Sequence, residues 1–225
     1  NVMIELMNVS KYYPTPKGRK YVFRDLNIKL PEKSNIGVLG LNGSGKSTLL
    51  RMIAGTDYPN KGTIKVSGTI SFPIGLSGGT QGSMTGRENA VFVSRVYGDE
   101  PKLTEEKLRY IEEFAEIGDY FDMPVKSYSN GMRSRLLFGI SMAFDFDVYL
   151  MDEITAVGDM QFKKKSQLAL RDKSKKSNYI MVSHNTNDFI RECDNLIVLN
   201  KGLVKFFADK DEGLQFYKDI VERKI

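Results

Sequence analysis

Gly40-Leu41-Asn42-Gly43-Ser44-Gly45-Lys46-Ser47-Thr48 satisfies the phosphate-binding pattern G-x-x-x-x-G-K-[ST] at every position. The flanks agree with it. Asn35-Ile36-Gly37-Val38-Leu39 reads as a short buried strand, and Leu49-Leu50-Arg51-Met52-Ile53-Ala54 as a helix with an apolar face. Glycines let the backbone curl so that successive N–H groups converge on phosphate oxygens. The helix that follows adds its positive N-terminal end at the same place. Within this pattern Lys46 reaches the β- and γ-phosphates and the Ser47 hydroxyl ligates Mg²⁺. A chance glycine turn between a strand and a helix explains the turn but not the Lys-Ser pair. The stretch predicts a site for a nucleoside triphosphate with Mg²⁺.

A chain of 225 residues is long enough for one large domain or a core with an inserted lobe. No apolar run approaches the ~18 residues of a membrane span. The start, Asn1-Val2-Met3-Ile4-Glu5, lacks the basic-then-apolar order of a signal peptide, so a cytoplasmic location is expected. A single cysteine, Cys193, excludes an internal disulfide and reads as a small buried apolar residue. The formal net charge is +5, with lysines gathered at Lys163-Lys164-Lys165 and from Arg171 to Lys176. A solvated face is the plain reading, and attraction to an anionic membrane surface or an acidic partner is the alternative. Zinc spacing, an aromatic-glycine RNA signature and an arginine-rich arm are all missing, so no nucleic-acid partner is expected.

Outward from the loop, alternating apolar residues (Val2, Ile4, Leu6; Val22, Leu26, Ile28, Leu30) flank a turn from Pro14 to Gly18 and predict a strand pair. Thr63–Val66 and Thr69–Phe72 read as two more strands around Ser67-Gly68. Helical patterns cover Arg87–Tyr97, the stretch after Pro101 and Met132–Phe144, the last nearly all apolar and therefore buried. Strands return at Val148–Met151, Tyr179–Val182 and Leu196–Leu199, with a hairpin turn at Asn200-Lys201-Gly202 and a closing helix. The organisation is an α/β core lobe, 1–83 and 146–225, around a helical lobe at about 84–145.

A triphosphate loop does not say what is done with the triphosphate, so its partners matter. The apolar strand Val148–Met151 ends in Asp152-Glu153, at the edge where α/β folds put their ligands. Asp152 can hold Mg²⁺ through water, and Glu153 can polarise the attacking water. Alone, an Asp-Glu pair after a strand is as well explained by a turn. Tyr128-Ser129-Asn130-Gly131-Met132-Arg133 precedes the apolar helix, with Ser129 a good N-cap. Beyond capping, that helix end can sense a γ-phosphate held by another subunit. His184, the only histidine, follows the strand Tyr179–Ser183 and is expected at its carboxyl end near the γ-phosphate.

Together these stretches resemble the ATP-binding subunit of an ABC transporter, and the resemblance runs through essentially the whole chain. It implies a RecA-like P-loop core with an N-terminal antiparallel β-subdomain and an inserted helical subdomain. It also implies a head-to-tail dimer of two copies with two ATP molecules between them. On that resemblance Ser129-Asn130-Gly131-Met132 stands where the family has Ser-Gly-Gly-Gln and contacts ATP across the dimer. Thr155-Ala156-Val157-Gly158-Asp159 corresponds to the loop linking the two sites, with Asp159 at its end. Tyr13 matches the aromatic that stacks on adenine, with Tyr12 as the alternative. One element departs: the glutamine expected well ahead of Thr85-Gly86-Arg87-Glu88-Asn89 falls near Gly75–Ser77, and the nearest glutamine is Gln81. Gln81 is not assigned as a ligand.

A narrower resemblance is to the ATPase subunits that export bacterial capsular polysaccharide, the polysialic-acid and capsule exporter type. It is carried by Ser71-Phe72-Pro73-Ile74-Gly75-Leu76, Gln81-Gly82-Ser83-Met84-Thr85-Gly86-Arg87-Glu88-Asn89, Tyr128-Ser129-Asn130-Gly131-Met132-Arg133-Ser134-Arg135-Leu136 and Asp152-Glu153-Ile154-Thr155-Ala156-Val157-Gly158-Asp159. It implies an ATPase on the cytoplasmic face of the inner membrane, working with an integral membrane permease and envelope-spanning export proteins. Glu153 and His184 are its expected catalytic residues. Exporters of O-antigen or teichoic acid share several of these stretches and stay open, and the stretch after His184 is too short for the carbohydrate-binding domain some of them carry. A soluble ATPase of this type acting on ribosomes or DNA usually has two units or a long coiled-coil insert. A small-molecule kinase leaves the Ser129 signature unexplained.

Overall fold

The computed structural model describes residues 3–74, 80–152, 160–182 and 192–222. In chain order the elements are β1 (Met3–Thr15), β2 (Gly18–Leu30), β3 (Ile36–Gly40), α1 (Lys46–Ile53) and β4 (Lys61–Ser67). The helices α2 (Gly86–Val96), α3 (Pro101–Ala115) and α4 (Asn130–Ala143) follow. Then come β5 (Val148–Asp152), α5 (Met160–Lys173), β6 (Asn178–Val182), β7 (Asn195–Asn200), β8 (Leu203–Phe207) and α6 (Lys210–Val221). They fall into two compact units, one of residues 1–73, 146–153 and 177–225, the other of 74–145 and 154–176.

The first unit holds two sheets. One is antiparallel, in the order β2-β1-β4; the other runs β5-β6-β3-β7-β8, parallel but for β8, which pairs antiparallel with β7. β3 lies at the centre of the five and is buried at every residue, as expected of a parallel strand covered on both faces. α1 buries Leu49, Leu50, Met52 and Ile53. The alternation of β1 breaks midway: Ile4 and Leu6 face the core, a register shift follows, Asn8 takes φ 50°, and Val9, Ser10 and Lys11 are buried in succession. A bulge of this kind re-aims the side chains beyond it. α6 starts at Asp209, whose carboxylate accepts the Asp211 N–H, and its Phe216 ring packs 5.3 Å from Phe207.

The second unit is helical. Thr85 and Glu88 form a reciprocal capping box at the start of α2. Asn89, 4 % exposed, accepts the Gln81 N–H and donates to the Thr85 carbonyl, pinning the segment before the helix. Phe114 of α3 lies 5.6 Å from Phe138 of α4 and 5.7 Å from Phe162 of α5, one aromatic core for three helices. Gly139 lets α4 approach the Ile111 carbonyl, 3.3 Å from where a Cβ would stand.

Two sequence expectations are corrected. Thr69–Phe72 is no ladder strand: Ile70 alone forms an isolated bridge, to Val148. The lysine-rich stretch is not wholly a solvated face either. Most of it lies on α5, where Lys165 donates to the Glu113 and Phe114 carbonyls and to Glu116, and Lys173 to the Phe144 carbonyl and Asp145. α5 groups with the helical unit, outside the range read as the helical lobe.

Candidate functional site

In the first unit the phosphate-loop stretch joins the carboxyl end of β3 to α1. No side chain fits at Gly40: a Cβ there would lie 2.4 Å from the Ser44 Oγ and 2.8 Å from the Leu199 carbonyl oxygen. The loop closes on itself through the Ser44 N–H, which donates to the Leu41 carbonyl at 3.1 Å. Gly45, the residue before α1, has φ 102°, a conformation L side chains rarely adopt. The N–H groups of the first helical turn have no intrahelical acceptor, so they remain for a ligand.

A cavity of about 420 Å³ opens here, walled by Asn42, Gly43, Gly45, Lys46, Ser47 and Thr48 on the loop side. Asp152 and Val182, from the carboxyl ends of β5 and β6, close another wall, and Tyr13, Lys20 and Val22 of the β1–β2 hairpin a third. Lys46, 7 % exposed, donates to the Gly40 and Leu41 carbonyls at 2.6 and 3.0 Å. The Ser47 hydroxyl donates to Asp152 Oδ2 at 2.8 Å. The parallel order β5-β6-β3 makes this meeting possible, since it brings the ends of β3 and β5 to the same sheet edge. The Ser44 hydroxyl is buried and finds no hydrogen-bond partner among the described residues. A buried orphan hydroxyl is costly unless a ligand satisfies it.

These residues fit a nucleoside triphosphate with Mg²⁺. Mg²⁺ takes hard oxygen ligands and binds through one or two carboxylates together with substrate phosphates. Ser47 and Asp152 offer a hydroxyl and a carboxylate side by side. Among the described residues no group of three or more His, Cys, Asp or Glu could hold a metal by itself. The triphosphate would therefore supply part of the ligand set.

Tyr13 and Tyr12 separate here. Tyr13 lines the cavity with its ring partly exposed, whereas Tyr12 packs 5.1 Å from Tyr21 and carries the Arg19 guanidinium over its face. Ser129, in the helical unit, caps α4 by accepting the Met132 N–H at 3.2 Å, with Asn130, Gly131 and Met132 in the first turn. Gln81 is exposed and enters no described site. Glu153, Asp159 and His184 lie outside the described residues, as do Gly75–Ser77, where the family glutamine is expected. Sequence reading missed Lys20, Val22 and Val182 as cavity residues. The hairpin register carries the signal for Lys20, which stands directly across from Tyr13 and so shares its face.

Comparison with known proteins agrees with this geometry. A family model described as ABC transporter matches residues 23–156. The polysialic acid transport ATP-binding protein KpsT of Escherichia coli is 51% identical over 217 residues, 96% of each chain. The capsule polysaccharide export ATP-binding protein CtrD of Neisseria meningitidis is 42% identical over 97% of this chain and 100% of its own. Among solved structures, a dimeric ATP-binding cassette in a post-hydrolysis state, bound to ADP and Pi, superposes with a TM-score of 0.73 at 20% identity. It covers 90% of this chain and 96% of its own.

Proposed function

We infer the role of this chain from one premise: it belongs to the ABC transporter family. It is an ATPase of that family, taking ATP with Mg²⁺ at the phosphate loop. Its proposed cargo is capsular polysaccharide, exported across the bacterial inner membrane. The identity to capsule and polysialic-acid transport subunits over nearly the whole chain supports that cargo. It ranks above the teichoic-acid and O-antigen readings.

The observation that carries the site is the Ser47–Asp152 hydrogen bond within the cavity that Lys46 also lines. In the proposed cycle the loop N–H groups and Lys46 hold the phosphates, Tyr13 stacks on the adenine, and Ser47 and Asp152 hold Mg²⁺. When bound, Mg²⁺ screens the charge that develops on the transferring phosphoryl group. Glu153 polarises the attacking water and His184 assists at the γ-phosphate. Two copies close head to tail, each presenting the Ser129 end of α4 to the ATP of the other, with Asp159 in the linking loop. The γ-phosphate then bridges subunits only in the closed state, and that difference in contacts drives closure. Closure acts on an integral membrane permease, and hydrolysis reopens the pair. No described helix is long and apolar enough to cross a membrane. The chain works as a peripheral subunit on the cytoplasmic face, in line with envelope-spanning export proteins.

The test is Glu153→Gln in the native cell, with the finished polysaccharide located afterwards. Polymer trapped inside and a bare surface are expected, and the purified variant should bind ATP, turn over very slowly and accumulate as a dimer. A normal coat refutes the cargo. A monomeric variant with normal turnover refutes the role of Glu153.

A further inference from the structure

Lys11 is a charged residue buried to 7 % exposure that takes no part in the site described above. Its ammonium group donates to Asp57 Oδ1 at 2.6 Å and to the Tyr58 carbonyl at 2.8 Å. It also lies 5.4 Å from the centre of the Tyr13 ring, within reach of a cation–π attraction. A lysine this buried must be paired, and two apolar residues of similar volume often do as well or better for stability. The ammonium group spends two hydrogen bonds to stay paired, so what it connects matters more than the volume it fills.

The partners of Lys11 supply one. Asp57 and Tyr58 belong to the segment that leaves α1, and the N–H groups of Thr56 and Asp57 donate to the Arg51 carbonyl on that helix. The same segment grips β1 twice more. Asn60 Oδ1 accepts the Tyr12 N–H at 2.8 Å, and the Asn60 N–H donates to the Ser10 carbonyl at 2.8 Å. β4 stops pairing with β1 at Ser10↔Lys61, so this segment takes over where the ladder ends. The helix that begins with Lys46 and Ser47 is thereby tied at its far end to the strand that carries Tyr13. The Asp57 carboxyl sits below its ordinary range: burial pushes it up, but hydrogen bonds from Lys11 and the Tyr58 N–H and the charges of Lys11 and Arg51 outweigh that.

We propose that Lys11 is a positioning residue for nucleotide binding, fixing the Tyr13 ring and tying that platform to the phosphate-loop helix through Asp57. The proposal rests on the reading of Tyr13 as the adenine platform. A ring held in place before binding loses less side-chain freedom when a base stacks on it, and preorganisation of this sort raises affinity without a new contact. Lys11 thus acts on the base end of the nucleotide and leaves the phosphate end alone.

The experiment compares Mg²⁺·ATP with Mg²⁺·tripolyphosphate by calorimetric titration of Lys11→Met, Lys11→Arg, Tyr13→Ala and the double variant K11M/Y13A. Lys11→Met is expected to weaken ATP about three- to ten-fold, to leave tripolyphosphate unchanged, and to be rescued by arginine. In the Tyr13→Ala background Lys11→Met should cost nothing further, because the ring through which it acts is gone. Equal weakening of both ligands, or the full single-variant loss repeated in the Tyr13→Ala background, overturns the proposal and leaves a structural ion pair. Tyr13→Ala with undiminished ATP affinity refutes the platform reading itself, and the proposal with it. Should Lys11→Met fail to fold, Asp57→Asn keeps a neutral acceptor for Lys11 and must weaken ATP but not tripolyphosphate; parity between the two ligands overturns the proposal there too.

Discussion

Two glycines of the phosphate loop, Gly43 and Gly45, both have positive φ, yet alanine at the two positions should behave differently. At Gly43, φ is +77° and an added Cβ would meet no described atom within 4 Å. The cost is then the backbone preference alone, about 1–2 kcal/mol. At Gly45, φ is +102°, and the Cβ would land 2.5 Å from Val22 Cγ1 and 2.8 Å from Phe23 Cζ. Phe23 is 1 % exposed and has no room to retreat. Overpacking adds about 1–3 kcal/mol, for a total of about 2–5 kcal/mol. In a chain of this size each kcal/mol moves Tm by about 2–4 °C, so Gly43→Ala should lower Tm by about 2–8 °C and Gly45→Ala by about 4–20 °C. Thermal unfolding by calorimetry measures both, without nucleotide, since a ligand bound only to the folded state would mask part of the loss. Both glycines line the cavity, so ATP titration should show weakened binding in each. Should Gly45→Ala be no more destabilising than Gly43→Ala, β2 does not pack against the loop as described, and the reason given for glycine at Gly45 fails.

Three further outcomes follow from single groups. Ser129→Ala removes the N-cap of α4 and should cost about 0.5–2 kcal/mol in urea unfolding; a contact with ATP across a dimer should in addition lower ATPase activity per folded molecule, and unchanged activity per folded molecule leaves only the cap. Asp122, held by the Arg87 hydrogen bond, Asp145, held by the Lys173 hydrogen bond, and Asp147, held by Thr69, all sit below the ordinary 3.8. Carboxyls depressed on folding stabilise above the unfolded value and lose that contribution as pH falls through the folded one, so Tm should hold down to about pH 5 and drop below about pH 4; a Tm unchanged between pH 5 and pH 3 contradicts this. Cys193 is 2 % exposed, with its thiol pushed up to about 12 by burial and then by the charges of Glu192 and Asp194. Iodoacetamide at pH 8 should leave it unmodified in the native protein and label it in urea, and rapid native labelling would place the thiol at the surface.

The loop and its flanks were legible because crowding at Gly40 and a positive φ at Gly45 call for glycine there and because a strand buried on both faces reads as an apolar run. Asp152 was legible for the same reason, as the first polar residue after Val148–Met151. Elsewhere the signal was weaker than the structure it serves. Thr69–Phe72 alternates like a strand, but its polar groups are spent on β5 without building a ladder: the Ser71 N–H donates to the Val148 carbonyl, and the Ser71 hydroxyl accepts the Leu150 N–H. α5 escaped notice because among its side chains only Phe162 and Ser166 are buried, too few to print a period of 3.6 against a lysine-rich background.

Lys11 and Lys20 show what periodicity cannot reach. Period-two alternation assigns a side chain to one face only while the register holds, and β1 slips between Leu6 and Val9 and again on either side of Lys11. The slip turns a lysine inward that a plain count assigns to solvent, and the strand that carries it also brings Tyr13 to the cavity. Lys20 needs the opposite information, namely which residue faces it across the hairpin. Both facts belong to pairing between strands rather than to any one stretch of sequence. The phosphate loop is therefore written in a local motif, while the placement of Tyr13 in the cavity beside it is written in the bulges of β1. Variation at Lys11 or Asn8 should then tune nucleotide affinity while every motif residue stays in place.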